Sequence, residues 1–137
     1  HVKSYGKHAT IKVPCSVDCL RVCKRLSTVD VRVNVTLIFS PAQAILASLA
    51  GATYISPFIG RMDDNSLDGM KLINDISNTG VKSKILAASI RDPQSVGTAF
   101  ALGADICTVP VEVFDKMYDH VLTDKGIEQF NKDFDEF

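Results

Sequence analysis

The chain has 137 residues, of which 46% are hydrophobic, and its formal net charge at pH 7 is −1. These values fit one domain with a sizeable core, spanning residues 1–137. Basic and acidic residues nearly cancel and no basic run occurs, so we expect no nucleic-acid partner. No apolar stretch reaches the ~20 residues of a membrane span, and we recognise no signal peptide. We therefore expect no membrane partner either.

Segments rich in β-branched residues alternate along the chain with segments whose apolar residues recur at helical spacing. The predicted strands cover residues 9–14, 31–38, 52–58, 84–90 and 105–109. The predicted helices are one capped by Ser16 or Asp18, one from Pro41 to Gly51, one ending near Asn78, two at about 93–102 and 111–119, and a last one capped by Thr123. A polar loop is predicted at residues 60–65.

Strict alternation of strands and helices with short connections predicts a parallel sheet with right-handed crossovers. Two architectures satisfy this pattern, a doubly wound sheet and a (β/α)8 barrel. Neither a G-x-G-x-x-G nor a G-x-x-x-x-G-K-[ST] sequence occurs, so the pattern gives no support to a nucleotide-binding sheet.

Three of the four cysteines, Cys15, Cys19 and Cys23, are spaced by four residues and are expected to share one helix face. The spacing differs from the usual zinc and iron–sulfur patterns. We therefore predict reduced, core-facing cysteines, no bound metal and a cytoplasmic location. Asp63 and Asp64 are interpreted as the solvated start of a helix rather than as a metal pair.

Polar side chains recur at the carboxyl ends of four predicted strands, where parallel α/β sheets and barrels bind ligands. Lys12 lies in the first strand, where we expect the sheet to withdraw its amine from water, and a desolvated lysine amine is a nucleophile towards carbonyl groups. Ser89 and Arg91 follow the face of Ile85 and Ala87. Arginines in such loops suit phosphate. The predicted site comprises Lys12, Asn34, Thr36, Ser56, Phe58, Arg61, Ser89 and Arg91. Taken singly, each of these residues is typical of a satisfied core hydroxyl, a packed ring or a solvated charge.

Several longer motifs occur in one order along the chain: IKVP (11–14), NVTLIFSPAQA (34–44), GATYISPFIGRMDD (51–64), LAASIR (86–91), GAD (103–105), VP (109–110) and LTDKG (122–126). In this order they resemble the small transaldolases and the related fructose-6-phosphate aldolases. The resemblance covers nearly the whole chain. It implies a (β/α)8-barrel fold, here reduced to about five parallel β/α units plus a C-terminal helix, and no cofactor.

The resemblance also implies roles for the predicted site residues. Lys12 matches the lysine that forms a Schiff base with the ketose, and Thr36 matches the hydroxyl that helps to hold the catalytic water. Asn34 and Ser56 match groups that hold sugar hydroxyls. Arg61, Ser89 and Arg91 match the phosphate-binding set.

Phe58 favours transaldolase over aldolase, because the aldolase branch tends to have a tyrosine at this position. The implied reaction is transfer of a dihydroxyacetone unit between sugar phosphates in the pentose phosphate pathway. The implied partners are fructose 6-phosphate, sedoheptulose 7-phosphate, erythrose 4-phosphate and glyceraldehyde 3-phosphate. A fructose-6-phosphate aldolase is the alternative within the same family.

The chain matches only the last five units of the family barrel, so the family's first three strands and their acidic groups have no counterpart here. We expect a fragment of a longer enzyme, a homo-oligomer whose copies complete one another, or a truncated relative with impaired activity. The non-catalytic alternatives are a sugar-phosphate-binding protein and a self-associating protein. Phe130, Phe134 and Phe137 are spaced for one helix face that docks on a neighbour or on the chain's own sheet.

Overall fold

The computed structural model describes residues 8–135, in which five strands alternate with seven α-helices. The strands are β1 (Ile11–Pro14), β2 (Val33–Ile38), β3 (Tyr54–Pro57), β4 (Lys84–Ala87) and β5 (Ile106–Cys107). The helices are α1 (Val17–Ser27), α2 (Pro41–Leu49), α3 (Ile59–Asp64), α4 (Gly69–Asn78), α5 (Pro93–Ala101), α6 (Val111–Asp115) and α7 (Val121–Asp135), with a short 3-10 helix, Lys116–Tyr118, before α7. No helix in this part of the chain has the length and hydropathy needed to cross a bilayer.

The sheet is parallel throughout, and its strand order is β1-β2-β3-β4-β5. A doubly wound sheet reverses its strand order at a switch point, whereas here every strand lies beside the one before it. Right-handed crossovers then place successive helices on the same side of the sheet. In agreement, α1 packs on α2, α2 on α4, and α4 on α5. The prediction of an incomplete β/α barrel of five units is therefore confirmed, and the doubly wound alternative is excluded.

The core lies between the sheet and this helix layer. Alternate strand residues such as Val33, Val35 and Ile55 are fully buried there, as the two-residue period of a strand requires. The helices contribute apolar stripes, including Ile73 and Ile76 of α4, which are also fully buried. Burial of this apolar surface is what holds the helices against the sheet.

The other side of the sheet is the lumen face, which we define by Lys12, Asn34, Thr36, Tyr54, Ser56 and Lys84. The strand register places Lys12 beside Asn34, and Thr36 beside Ser56. Neighbouring partners in a parallel sheet point to the same face. This register brings the predicted site residues of the first three strands together.

Side-chain caps start the helices where the sequence predicts them. Ser16 Oγ accepts a hydrogen bond from Cys19 N, and Ser40 Oγ accepts one from Gln43 N at 3.2 Å. Gln43 Oε1 in turn accepts one from Phe39 N at 2.8 Å, so the Gln43 side chain reaches back to the residue before the cap Ser40. The prediction of Ser16 or Asp18 as the first cap is resolved in favour of Ser16.

Three predictions about the helices are wrong. The predicted loop at 60–65 is largely helix α3, because Ile59 is buried and Met62 packs on the same core, which is the spacing of a helical turn. Cys15 lies before α1 and not on its face, although Cys23 is fully buried. The last helix begins at Val121, two residues before the predicted cap Thr123.

The two-residue alternation of the second predicted strand places Leu37 on the same face as Val33 and Val35, but a bulge in β2 changes this. The φ of Leu37 is +58°, and the register with β3 shifts between Thr36 and Ile38. Ile38 is consequently the residue that is fully buried after Thr36. The alternation read from the sequence therefore holds only up to Thr36.

Helix α7 exposes its apolar residues. Ile127, Phe130 and Phe134 are 52%, 73% and 82% exposed, so packing of this face on the chain's own sheet is excluded for the part of the helix that is described. Phe137 lies outside the described residues.

Candidate functional site

Lys12 stands on the lumen face near the carboxyl end of β1. Its side chain is exposed, so the prediction that the amine is withdrawn from water is wrong for the described part of the chain. The lumen face is open to solvent at both of its lysines, Lys12 and Lys84. The first and last strands of the five-stranded sheet are not paired with each other, so the sheet does not close and the exposed amine is accessible to a carbonyl compound from solution.

Beside Lys12, the polar residues of β2 and β3 form a small network. Ser56, which is fully buried, donates a hydrogen bond from Oγ to Asn34 Oδ1 at 2.8 Å. This bond orients the Asn34 amide, and its NH2 group remains a donor for a ligand oxygen. Thr36 is 8% exposed, and its hydroxyl finds no hydrogen-bond partner within residues 8–135. A buried polar atom of this kind is costly unless a ligand or water pairs with it.

The Phe58 ring connects the lysine to the first arginine. Lys12 Nζ lies 5.9 Å from the ring centroid, and Arg61 Cζ lies 4.9 Å from it. Both distances are within the range of cation–π attraction. Phe39 meets the same ring edge-on, with the centroids 6.1 Å apart. The amine and the guanidinium are thus held at one aromatic side chain.

Arg91 approaches the same rim from the loop after β4. Its two terminal nitrogens donate to the two carboxylate oxygens of Asp64, the last residue of α3. This hydrogen-bonded pairing lowers the pKa of Asp64 and raises the pKa of Arg91 from their ordinary values. Arg61 adds a smaller attraction to the Asp64 carboxylate. Asp64 therefore interacts with both predicted phosphate-binding arginines, and with Arg91 most strongly.

Gly60 permits α3 and the loop after β4 to meet. A Cβ placed on Gly60 would lie 2.2 Å from the Ser89 carbonyl oxygen, 2.9 Å from Arg91 Nε and 3.0 Å from Ser89 Oγ. Ser89 itself has a φ of +62°, which is an uncommon conformation for a residue with a side chain. A cavity of about 150 Å³ opens at this junction, and Asp63 and Asp92 also line it.

The eight predicted residues fall into two groups. Lys12, Asn34, Thr36, Ser56, Phe58 and Arg61 gather along the lumen face and its rim. Ser89 and Arg91 form the second group, next to Gly60. Ser89 follows the buried, helix-facing residues Ile85 and Ala87, so parity alone puts it on the wrong side of the sheet. The loop conformation at Ser89 and the ion pair with Asp64 bring the second group to the rim.

Sequence reasoning missed the roles of Asp64 and Gly60 in this geometry. Asp63 and Asp64 lie at the end of a helix and not at its start, and Asp63 Oδ1 accepts a hydrogen bond from Gly69 N at 3.0 Å. Both missed residues lie inside the motif at 51–64, but a partner 27 residues further along has no local signal in the sequence. Their contacts follow from the way β3 and β4 lie side by side.

Parallel β/α units in sequential order, with polar side chains at the strands' carboxyl ends, define part of a TIM-type barrel. The fold is similar to that of inosine 5'-monophosphate dehydrogenase from Legionella pneumophila, with a TM-score of 0.61 and 16% identity. That similarity covers 76% of this chain and 36% of the other, and it concerns the fold alone. The family model described as Transaldolase/Fructose-6-phosphate aldolase matches residues 2–137, and the chain belongs to this family.

Curated relatives agree with this assignment. A probable transaldolase from Paracoccus denitrificans is 52% identical over 98% of this chain, and one from Kosmotoga olearia is 48% identical over 96%. The chain spans 64% and 62% of the length of these two relatives. The predicted family is therefore confirmed, over a part of the relatives' length.

Proposed function

We propose that this chain carries the Schiff-base centre of a transaldolase, which transfers a dihydroxyacetone unit between sugar phosphates. Fructose 6-phosphate and sedoheptulose 7-phosphate would be the donors, and erythrose 4-phosphate and glyceraldehyde 3-phosphate the acceptors. The observation that carries the proposal is the arrangement around Phe58, because one ring holds both the Lys12 amine and the Arg61 guanidinium. A ketose phosphate needs a nucleophile at its carbonyl and a cation at its phosphate.

In the proposed reaction, Lys12 Nζ adds to the ketose carbonyl, and loss of water leaves an iminium ion. The iminium accepts the electron pair of the bond between its α and β carbons as that bond breaks, and the hydroxyl on the β carbon gives its proton to water, so an aldose leaves and an enamine remains. The enamine then attacks the carbonyl carbon of the acceptor aldose, and hydrolysis returns the amine. The Thr36 hydroxyl, which lacks a partner within residues 8–135, is suited to holding the water that exchanges protons.

The Asn34–Ser56 pair supports binding of the sugar hydroxyls, because the hydrogen bond between them fixes the amide at 2.8 Å. Arg61, Ser89 and Arg91 supply the donors for a phosphate group. Phe58 supports transfer over simple aldol cleavage, since it has no hydroxyl for proton relay. We also propose a cytoplasmic location. Sugar phosphates are cytoplasmic metabolites, and the chain's free cysteines fit a compartment in which thiols are kept reduced.

A reductive trapping experiment tests the proposal. The protein is incubated with fructose 6-phosphate and borohydride, digested, and searched by mass spectrometry for a sugar-derived mass on the peptide containing Lys12. Lys84 provides a matched control, because it is also an exposed lysine on the lumen face. We expect Lys12→Arg to abolish the adduct and Lys84→Arg to leave it unchanged. An adduct that survives Lys12→Arg, or no adduct on a protein that circular dichroism shows to be folded, contradicts the proposal.

Self-association is a second proposed property, favoured by the exposed apolar face of α7. Ile127, Phe130 and Phe134 present this face to solvent, and contiguous apolar surface of this kind is typical of protein contacts. A homo-oligomer would cover it. Light scattering of the unliganded protein tests this property separately from catalysis.

A further inference from the structure

The ion pair between Asp64 and Arg91 constrains an arginine that lies in a loop. Both side chains are about half exposed, at 46% for Asp64 and 56% for Arg91. An exposed arginine ordinarily samples many rotamers, and binding an anion then requires it to be ordered. The two parallel hydrogen bonds from Arg91 to Asp64 supply that order before any ligand arrives.

The pairing also decides which edge of the guanidinium remains available. A guanidinium has five N–H donors in one plane, and Asp64 engages the edge formed by the two terminal nitrogens. The Nε edge lies next to Gly60, and both Arg91 and Ser89 line the cavity of about 150 Å³ that opens at this junction. Two donors of the proposed phosphate set therefore border the same space.

We propose that Asp64 is a positioning residue, which holds Arg91 so that its Nε edge and the Ser89 hydroxyl face one phosphate oxyanion beside Gly60. This inference rests on the proposed function, because it concerns the phosphate end of that same site. Asp64 does not touch the substrate. It acts through Arg91, whose two terminal nitrogens donate to its carboxylate.

Positioning and simple electrostatics predict opposite signs for loss of the carboxylate. Asp64 carries a negative charge close to both arginines, so Coulomb's law alone predicts that its removal tightens anion binding. If the carboxylate orients Arg91, its removal frees the side chain, and anion binding weakens by about threefold to tenfold. The direction of the change therefore separates the two roles.

The experiment measures the dissociation constant of inorganic phosphate by isothermal titration calorimetry in low-salt buffer. Asp64→Asn is compared with the unchanged protein, and Asp64→Glu, which keeps the charge, serves as the conservative variant. Asp18→Asn is the matched control, because Asp18 forms an exposed ion pair with Arg21 at 3.2 Å on α1 and its loss changes the net charge equally. The unfolding midpoint of each variant is recorded to establish that it is folded.

We expect Asp64→Asn to weaken phosphate binding about threefold to tenfold, Asp64→Glu to restore part of the loss, and Asp18→Asn to have no effect. In an Arg91→Ala background, Asp64→Asn is expected to cause no further weakening, because its effect passes through Arg91. Unchanged or tighter binding by Asp64→Asn, or an equal loss in both backgrounds, overturns the positioning role while leaving the proposed phosphate site in place. No phosphate binding by the unchanged protein overturns both.

Discussion

Replacement of Gly60 by alanine tests the close approach on which the proposed phosphate site depends. Gly60 is the second residue of α3, and its missing side chain faces the Ser89 carbonyl oxygen. A Cβ there would stand 2.2 Å from that oxygen, about 1 Å closer than a carbon–oxygen contact normally allows. The obstacle is backbone, so rotation of a side chain cannot relieve it. Either α3 or the loop after β4 must move.

The expected effect on stability combines two opposing terms. Overpacking of a well-filled contact costs about 1–3 kcal/mol, whereas alanine in place of glycine within a helix gains about 0.5–1 kcal/mol. The overlap involves rigid backbone, so the first term exceeds the second. We expect Gly60→Ala to lower the free energy of unfolding by about 1–2 kcal/mol. It should also weaken phosphate binding, because Arg91 Nε lies only 2.9 Å from the same position.

Gly97 supplies the matched control. It lies inside α5, and a Cβ added there would meet nothing within 4 Å. We expect Gly97→Ala to raise the free energy of unfolding by about 0.5–1 kcal/mol. Both variants are measured by urea denaturation, with an unchanged slope m as the criterion of two-state unfolding. Equal stability of the two variants would refute the reasoning from the 2.2 Å contact.

Three further variants address other parts of the molecule. Thr36→Val removes a buried hydroxyl that finds no partner within residues 8–135, so urea denaturation should show a gain in the free energy of unfolding of about 1 kcal/mol. If the proposed function holds, the same variant should lose the proposed transaldolase turnover. Lower stability would contradict this. Hydrogen bonds from Ser95 lower the pKa of Asp92, the cap of α5, from its ordinary value of 3.8. The contribution of Asp92 to folding stability is therefore fully present above that ordinary pKa, and it is lost as the pH falls through the lower pKa of the folded state. The melting temperature of Asp92→Asn should therefore fall less steeply with decreasing pH below pH ~4 than that of the unchanged protein. An equal dependence of the two melting temperatures on pH would argue against the cap. The double variant Phe130→Asp and Phe134→Asp should reduce the molar mass measured by light scattering, and a monomeric unchanged protein would argue against self-association.

The fold is largely predictable from the sequence because its determinants are local. β-Branched runs mark the strands, and Ser16, Ser40 and Asp92 cap helices through hydrogen bonds to residues three positions later. The choice between a doubly wound sheet and a barrel type is different. It depends on the order in which strands pair, and the alternation of elements is the same in both architectures. In the sequence, only the motifs shared with the transaldolases favour the barrel over the doubly wound sheet.

The errors at residues 60–65 and at Leu37 have a common physical origin. Polar residues in α3 suggest a loop, but Ile59 anchors the helix in the core from its first position. Leu37 belongs to a β-branched, apolar run, yet it takes a φ of +58° because the bulge must return Ile38 to the core. In both cases a tertiary contact overrides the local pattern.

The residue types of the candidate site are visible in the sequence, and their pairings are not. Strand register follows from the sheet, so the proximity of Lys12 to Asn34 could be expected once β1 and β2 are neighbours. The Asp64–Arg91 pair depends on side-chain reach between the end of helix α3 and the loop after β4. The exposure of Lys12 depends on how far the sheet closes, which no local segment encodes.

The two arginines at the rim are held by different interactions, and the difference has consequences for an anion. The Phe58 ring attracts Arg61 at 4.9 Å through its quadrupole, and unlike a carboxylate the ring brings no net negative charge. Asp64 orders Arg91 with a full negative charge, which cancels much of its long-range field. Arg61 is thus suited to attracting a phosphate from a distance, and Arg91 to fixing its orientation on contact. An arrangement with two carboxylate pairs would lose the attraction, and one with two aromatic partners would lose the geometric constraint.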